Sequence, residues 1–520
     1  MYLNADNLPD GTLLQGFDIC IVGAGAAGLP MANRLIGSGK RVLLIVSGTV
    51  NDRHLPTEQR QSIYRGTVGD FLKRVDPIFL DRSRQNMYGG TTNHFGFWSR
   101  PLDDADLRAR PGYRDASWPL TSADLAPYYL AAHEYARFGP FNYEDIPFWE
   151  RALYARCFPT QPGDALHGMI MHGQYDAEIR QLQIQLAPAL EAAENITVLF
   201  NAHLLRIETT PDRAHVTRLH CATMQDGRAG QHFQVQAEKV VLAMGGIETV
   251  RALQLSDNLG NNRRDHLGRG FMVHPLVTRA ARVRFARPVD LGVVNFFRDQ
   301  QVCLEGPQVE GGAYTPISAP LVNPENKDEL FVFNAWGVLT PTDATMEAER
   351  IGNLRLILVF NETYDEAIVN INWEQVPNED SRITLNPDVR DPIFGQPVVH
   401  LDWRLLDVDK YTMRRGLELC EAYLRARGAT EFTYITDVSG GANNWSVEPH
   451  EGALTTGDHH IGALRMAVSP DDGIVNADAR VHTVDNLYIA GCSIFPTSGF
   501  ANPTLTIIAL ALRLADHLKG

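Results

Sequence analysis

The 520-residue chain is poor in cysteine, in basic charge and in long apolar runs, and each shortage excludes something. Its six cysteines, at 20, 157, 221, 303, 420 and 492, show no CxxC spacing. That scatter argues against a disulfide framework or a zinc site and predicts free thiols in a reducing compartment. The histidines show no metal-ligand spacing either, so no metal is expected. Lys and Arg number 47 against 62 Asp and Glu, a formal charge of −15. An acidic chain of this kind disfavours nucleic acid and anionic membranes as partners. The longest apolar stretch, Leu505 to Leu512, is too short to span a bilayer, and Arg513 follows it. Met1-Tyr-Leu-Asn-Ala-Asp-Asn lacks a basic region followed by an apolar run, so no secretory signal is read and a cytoplasmic location is expected. Repeats and low-complexity tracts are missing as well.

What is present is an ordinary globular composition in a chain long enough for two or three domain-sized units. Residues 17–22 read as a buried parallel strand, 26–37 as a helix and 41–46 as the next parallel strand, a βαβ unit. Pro30 predicts a distorted second turn in that helix. Residues 79–102 carry no clean period and read as an ordered loop. Thr121 to Asp124 predicts a helix start, 176–192 a second helix, and 408–427 and 504–518 two more. Between 276 and 405 the pattern turns to alternating segments, which predicts an antiparallel sheet. The fold class is therefore α/β. A Rossmann-like nucleotide-binding domain is expected from 1–105, 190–275 and 455–520. An inserted α+β domain with an antiparallel sheet is expected from 106–189 and 276–454.

The chemistry concentrates at the two ends. Gly23-Ala-Gly25-Ala-Ala-Gly28 follows the first strand and opens the helix. Gly23 permits the tight turn, Gly25 lets a pyrophosphate approach the backbone, and Gly28 lets helix and strand pack closely. The acid that normally ends the second strand and holds the adenosine ribose is missing. Val46 takes its place, and Ser47 offers only a hydroxyl. At the other end His459-His460-Ile-Gly462-Ala-Leu-Arg465-Met466 precedes Gly491-Cys492-Ser493 and Gly499-Phe-Ala-Asn502-Pro503-Thr504. A histidine near its working pKa suits removal of a proton from an alcohol. An amide can hold the oxygen on which charge develops. Asn502 also stands where it could cap the terminal helix.

Four blocks together resemble the glucose–methanol–choline (GMC) oxidoreductases. They are the βαβ unit, Met87-Tyr-Gly89-Gly90-Thr91-Thr92-Asn93-His94, Glu374 to Arg382, and His459 to Leu518. The wording Gly-Gly-Thr-Thr-Asn-His, with Phe495 to Thr504, is most similar to the branch containing pyranose oxidases and related sugar oxidoreductases. The resemblance implies FAD as cofactor. Gly23, Gly25, Gly28, Ser47, Gly89, Gly90, Thr92, Asn93, His94, Gly491, Cys492, Asn502, Pro503 and Thr504 are its expected contacts. It implies His459 as the base facing flavin N5 and Asn502 as its partner; His460 fits the pattern less well. In pyranose and choline oxidases a histidine placed like His94 bonds covalently to the flavin, and many relatives carry the histidine without the bond.

Asn443, Asn444 and Trp445 are candidate substrate contacts, since amides beside an aromatic suit a sugar. An ordinary polar loop is the equal alternative. His274 reads as structural. The expected reaction is oxidation of a secondary hydroxyl of a sugar or glycoside to a keto sugar, with hydride passing to flavin N5. Oxidation of a non-sugar alcohol, and a GMC-like hydroxynitrile lyase with non-redox FAD, use the same groups. The electron acceptor, O2 or another, and the oligomeric state are not encoded in any motif.

Overall fold

The N-terminal pattern folds around the strand Thr12–Val22. The structure, a computed structural model, describes all residues except 50–64, 95, 111–112, 114–115, 154–157, 159, 175–178, 180, 290–321, 324–325, 331–333, 362 and 448–449. Ile19 to Val22 are buried and pair in parallel with Val42–Ile45 on one side and Arg228–Leu242 on the other. Ile196–Phe200 and Tyr2–Asn4 extend the sheet past Val42–Ile45. Leu487–Ile489 joins Arg228–Leu242, so remote parts of the chain meet in one parallel core. Burial on both faces explains why these strands read as unbroken Val, Ile and Leu runs. Arg228–Leu242 spans 15 residues. Its first half pairs back on Val216–Gln225, which pairs with His203–Thr209, as an antiparallel meander.

The helix after the glycine turn, Gly28–Arg34, is shorter than expected, and Pro30 does not distort it. Pro30 is the third residue of the helix, so what it removes is a single donor at the helix start. Leu29 N donates to Gly25 O at 3.1 Å and Met31 N to Ala27 O at 3.2 Å on either side of it. The expected helix start is Ser122–Ala136, which Thr121 caps through a capping box with Asp124. Leu182–Ala192, Asp407–Arg425 and Thr504–Lys519 are the other expected helices. Cys20, Cys221, Cys420 and Cys492 are buried free thiols; Cys157 and Cys303 lie outside the described residues. No helix among the described residues is long and apolar enough to cross a membrane.

The antiparallel sheet runs in the order Ala429–Tyr434, Pro275–Phe285, Glu366–Trp373, Leu354–Phe360, Asn334–Pro341, Leu166–Gln174, Phe97–Ser99. Leu454–Thr456 pairs with the start of Pro275–Phe285. Phe97–Ser99 was read as loop; three residues in a Gly-, Thr- and Asn-rich stretch carry no visible period, and pairing with Leu166–Gln174 makes them a strand. Helix Asp407–Arg425 packs on one face of the sheet. A Cβ on its Gly416 would meet Leu354 Cδ2 at 2.6 Å and Ile371 Cδ1 at 3.0 Å. Side chains alternate along a strand, so Arg355 and Asn372, which are cross-strand partners, point to the opposite face. A third sheet, Gly66–Val68, Pro397–Asp402 and Arg382–Arg390, is tied to helix Gly246–Leu255 through Arg251 to Pro397 O and Gln254 to Ile383 O.

Candidate active site

Three parallel strands end together in glycine. Gly23 follows Val22, Gly245 lies just past Leu242, and Gly491 lies just past Ile489. A Cβ on Gly23 would collide with the Ala243 carbonyl, and one on Gly28 with the Gly23 carbonyl oxygen. A Cβ on Gly25, Gly245 or Gly491 would meet no atom within 4 Å. The first two glycines are therefore required by packing, and the other three leave open space beside the strand ends. In a sheet of this kind that is where a dinucleotide lies.

The Met87–His94 segment is docked onto this turn. Gly89 N donates to Ala24 O at 2.9 Å, and a Cβ on Gly90 would stand 3.4 Å from Gly25 Cα. Positive φ values at Gly89 (93°) and Gly90 (53°) turn the chain into a short 3₁₀ helix, Gly90–Asn93. Thr92 Oγ1 donates to Gly89 O at 2.7 Å, and Asn93 Nδ2 donates to Tyr88 O and Gly90 O. These two side chains brace the loop from within. His94 caps the turn with its side chain exposed. Ser47 donates to Asn86 Oδ1, so the one hydroxyl at the end of the second strand is engaged with the protein.

His459 is set by two neighbouring segments. Ile461 exchanges backbone hydrogen bonds with Met272, while Gly462, Leu464 and Met466 donate to Cys492, Ser493 and Ile494. Asp458, with φ of 56°, redirects the chain immediately before it and is held by Arg82. The two adjacent histidines then diverge. His460 turns toward Phe79 and Ser83, its Nε2 lying 2.9 Å from Ser83 Oγ. His459 turns to His274, with Nδ1 to Nδ1 at 2.7 Å. His274 Nε2 in turn lies 2.8 Å from Gly499 O and 3.3 Å from Ser498 O. His274 is thus part of this cluster; a lone histidine before Pro275 gave no sequence signal of a partner 185 residues away.

Burial, then the Arg355 charge, holds His274 down to about 4. Burial, His274, Arg355 and His460 hold His459 well below the ordinary histidine value. Both rings are accordingly neutral near pH 7.

Asn502 does not cap the terminal helix. Pro503 is the cap residue, and no side chain bonds the first turn. Ser99 Oγ donates to the Asn502 backbone carbonyl at 2.9 Å, while Asn502 Oδ1 is buried without a hydrogen-bond partner. A buried amide oxygen left unpaired costs about 1–3 kcal/mol, so a bound donor is the natural occupant of that position. Pro503 and Thr504 start the helix behind it, and Cys492 is engaged through its thiol with His460 O.

The sheet face bearing Arg355 and Asn372 carries a separate apolar cluster of Met169, Met171, Trp336, Val338 and Phe500, with Trp98 and Ile357 packed on it. Trp98 meets Trp336 edge-on at 4.7 Å. Asn372 Nδ2 donates to Pro275 O at 3.1 Å, and its buried Oδ1 has no partner. Phe500 and Asn502 lie two residues apart, which brings this face to the C-terminal segment.

Of the candidate substrate contacts Asn443, Asn444 and Trp445, the last two are engaged with the protein away from this face. Trp445 is buried and stacks on Trp373 at 5.7 Å and 14°, under the Lys410 ammonium. Trp373 is the cross-strand partner of Leu354, on the helix side of the sheet. Asn444 is bonded to Asp437 and Ser439 in its own exposed loop. The motif was an amphipathic loop closing the far side. Asn372 gives no signal in the sequence, because the two asparagines of Ile-Val-Asn-Ile-Asn-Trp look like any outward strand positions. Among the described residues, no group of three or more His, Cys, Asp or Glu side chains is arranged to hold a metal ion.

The profile of the family described as GMC oxidoreductase matches residues 377–511. The chain is 25% identical to 6'''-hydroxyparomomycin C oxidase of Streptomyces lividus, over 99% of this chain and 94% of that protein. It is 25% identical to 2-methyl-1,2-propanediol dehydrogenase of Mycolicibacterium austroafricanum, over 96% of this chain and 95% of that protein. The crystal structure of formate oxidase has the same fold, with a TM-score of 0.58 and 19% identity over 98% of this chain and 99% of the other. The family match at residues 377–511 and the full-length relatives support the same reading, an FAD-dependent oxidoreductase of GMC type acting on CH–OH groups. The open strand ends at Gly25, Gly245 and Gly491 and the unpaired Asn502 oxygen fit such a cofactor.

Proposed function

We propose that the chain oxidises a secondary hydroxyl of a sugar or glycoside to a keto sugar, with His459 as base. Gly23, Gly25, Gly28, Gly89, Gly90 and Gly491 would hold the dinucleotide, and FAD when bound supplies the hydride acceptor at N5. His459, held neutral by burial, takes the hydroxyl proton. Asn502 turns its Nδ2 hydrogens to the substrate oxygen while charge develops there, and its unpaired Oδ1 accepts from a neighbouring substrate hydroxyl. Asn372 offers a second buried amide oxygen for another hydroxyl, and Trp98 with Trp336 offers an aromatic surface for the C–H face of a ring.

The observation that carries the reading is the pairing of a neutral histidine with two unpartnered amide oxygens beside an aromatic and methionine wall. A plain aliphatic alcohol needs only one polar holder; a polyol needs several. The relatives' names describe oxidation of hydroxyl-bearing compounds, one of them a small diol, which supports alcohol chemistry. The test is an anaerobic screen of monosaccharides, glycosides, diols and simple alcohols, read by loss of the flavin's visible absorbance. Bleaching by sugars or glycosides at the lowest concentrations is expected. Bleaching only by non-sugar alcohols would remove the sugar reading, and no bleaching by any of them would favour non-redox use of the cofactor.

A further inference from the structure

Two carbonyls fix a histidine tautomer at this site, and the consequence passes through two rings. His274 Nε2 faces only acceptors, Gly499 O at 2.8 Å and Ser498 O at 3.3 Å, so it carries a hydrogen. A neutral ring with hydrogen on Nε2 has a bare Nδ1. That bare nitrogen lies 2.7 Å from His459 Nδ1, which must therefore be the donor. His459 is then left with its lone pair on Nε2, the nitrogen directed away from His274.

We propose that His274 is a positioning residue that locks His459 in the Nδ1–H tautomer and so presents Nε2 as the proton acceptor. The inference rests on the reading of His459 as base, and it adds why that ring is ready in one orientation. His274 is fully buried and cannot swing out. Its own carbonyl accepts from Gly457 N at 2.9 Å, two residues before His459, so backbone and side chain hold the same neighbour. A Cβ on Gly457 would stand 3.2 Å from His459 Nδ1 and 3.3 Å from His274 Cβ, so the glycine leaves the room in which the two rings pair.

The charged and titratable groups around the pair are Arg355 two strands away in the sheet, His460 beside His459, and Glu374 near His274. Arg355 disfavours protonation of either ring. When His459 Nε2 takes a proton, the positive ring still donates from Nδ1 to His274, and His274 donates on to Gly499 O. The chain of donors keeps its direction, no second proton moves, and the charge stays on His459. Imidazole with hydrogen on Nε2 would lack a lone pair at the reacting position. A fixed tautomer therefore keeps nearly every molecule competent, as the oriented base does in hydrolytic triads.

The test has a spectroscopic arm and a kinetic arm. In enzyme labelled with ¹⁵N-histidine, long-range ¹H–¹⁵N correlation distinguishes the two tautomers. The His459 signals are identified by their loss in His459→Gln. The expected result is a protonated Nδ1 and bare Nε2 at His459, with the reverse at His274. The opposite tautomer at His459 would overturn the proposal before any variant is made. In the kinetic arm, His274→Phe keeps the ring volume without nitrogens, while His274→Asn keeps an acceptor near the Nδ1 position. We expect His274→Phe to slow anaerobic flavin reduction roughly 10²-fold and to shift the acidic limb of its pH profile. His274→Asn should recover most of the rate. Equal rates and identical pH profiles for both variants and the parent would overturn the relay. If instead His459→Ala reduces flavin normally while the tautomers are as stated, the base assignment fails and the geometry stands.

Discussion

Gly89 donates its amide hydrogen to the carbonyl of Ala24, joining the loop that starts at Met87 to the middle of the glycine turn. The contact places Gly90 against Gly25, beside the strand ends. Gly25 itself has free space where a side chain would be. Gly25→Ala should therefore leave the apoprotein folded, with Tm within about 2 °C of the parent, and should lower flavin content at least several-fold. Gly28→Ala should do the opposite, because its Cβ would strike the Gly23 carbonyl. Absorbance ratios of flavin to protein, together with scanning calorimetry, separate the two effects.

Trp445 supplies a test of which face of the sheet meets substrate. Stacked on Trp373 beneath Lys410, it is a packing residue. Trp445→Ala should lose about 3–5 kcal/mol of stability, measured by denaturant unfolding, while KM for the best substrate stays within twofold. A large KM change with little loss of stability would return this loop to the substrate site.

Asn372 should behave in the reverse sense. Its Oδ1 has no partner, so Asn372→Ala removes only the bond to Pro275 O from the folded protein. A loss near 1 kcal/mol in stability is expected, with KM raised about tenfold as the hydroxyl it accepts loses its partner. Titration of flavin bleaching against substrate gives that change directly.

Much of the nucleotide-binding half was legible in the sequence, and the reason is physical. Buried parallel strands and a glycine turn are local patterns, written in a few adjacent residues, as is the Thr121–Asp124 helix start outside that half. The His459–His274 contact is not local; neither residue's neighbours specify the other. Pro30 misled because its effect depends on where the helix begins, and that point is set by the glycine turn. Phe97–Ser99 became a strand only through its partner. Trp445 and Asn372 show that composition does not say which side of a sheet a side chain occupies.

Stability should fall on acidification below the ordinary histidine pKa. Burial holds His133, His203 and His274 at about 4 and His460 at about 3. Each stays neutral in the fold but takes a proton near 6.5 when unfolded. Its contribution is complete above 6.5 and is withdrawn as pH falls toward its folded value. A shift from 6.5 to 4 corresponds to roughly 3 kcal/mol per buried ring. Asp106 and Asp409, lifted by burial to about 7, act oppositely, losing their contribution as pH rises from about 4 to 7. The histidines outnumber them, so Tm measured by calorimetry should drop steadily from pH 6.5 to 4.5. A flat or rising Tm over that range would show that these rings are not neutral in the fold.

The base assignment is open to one direct measurement, the anaerobic rate of flavin reduction in His459→Ala mixed with saturating substrate. With flavin content and Tm matching the parent, the rate should fall about 10²–10⁴-fold at pH 7. Reduction at close to the parent rate would mean that the proton leaves the alcohol by another route, and that the imidazole at 459 is not the base.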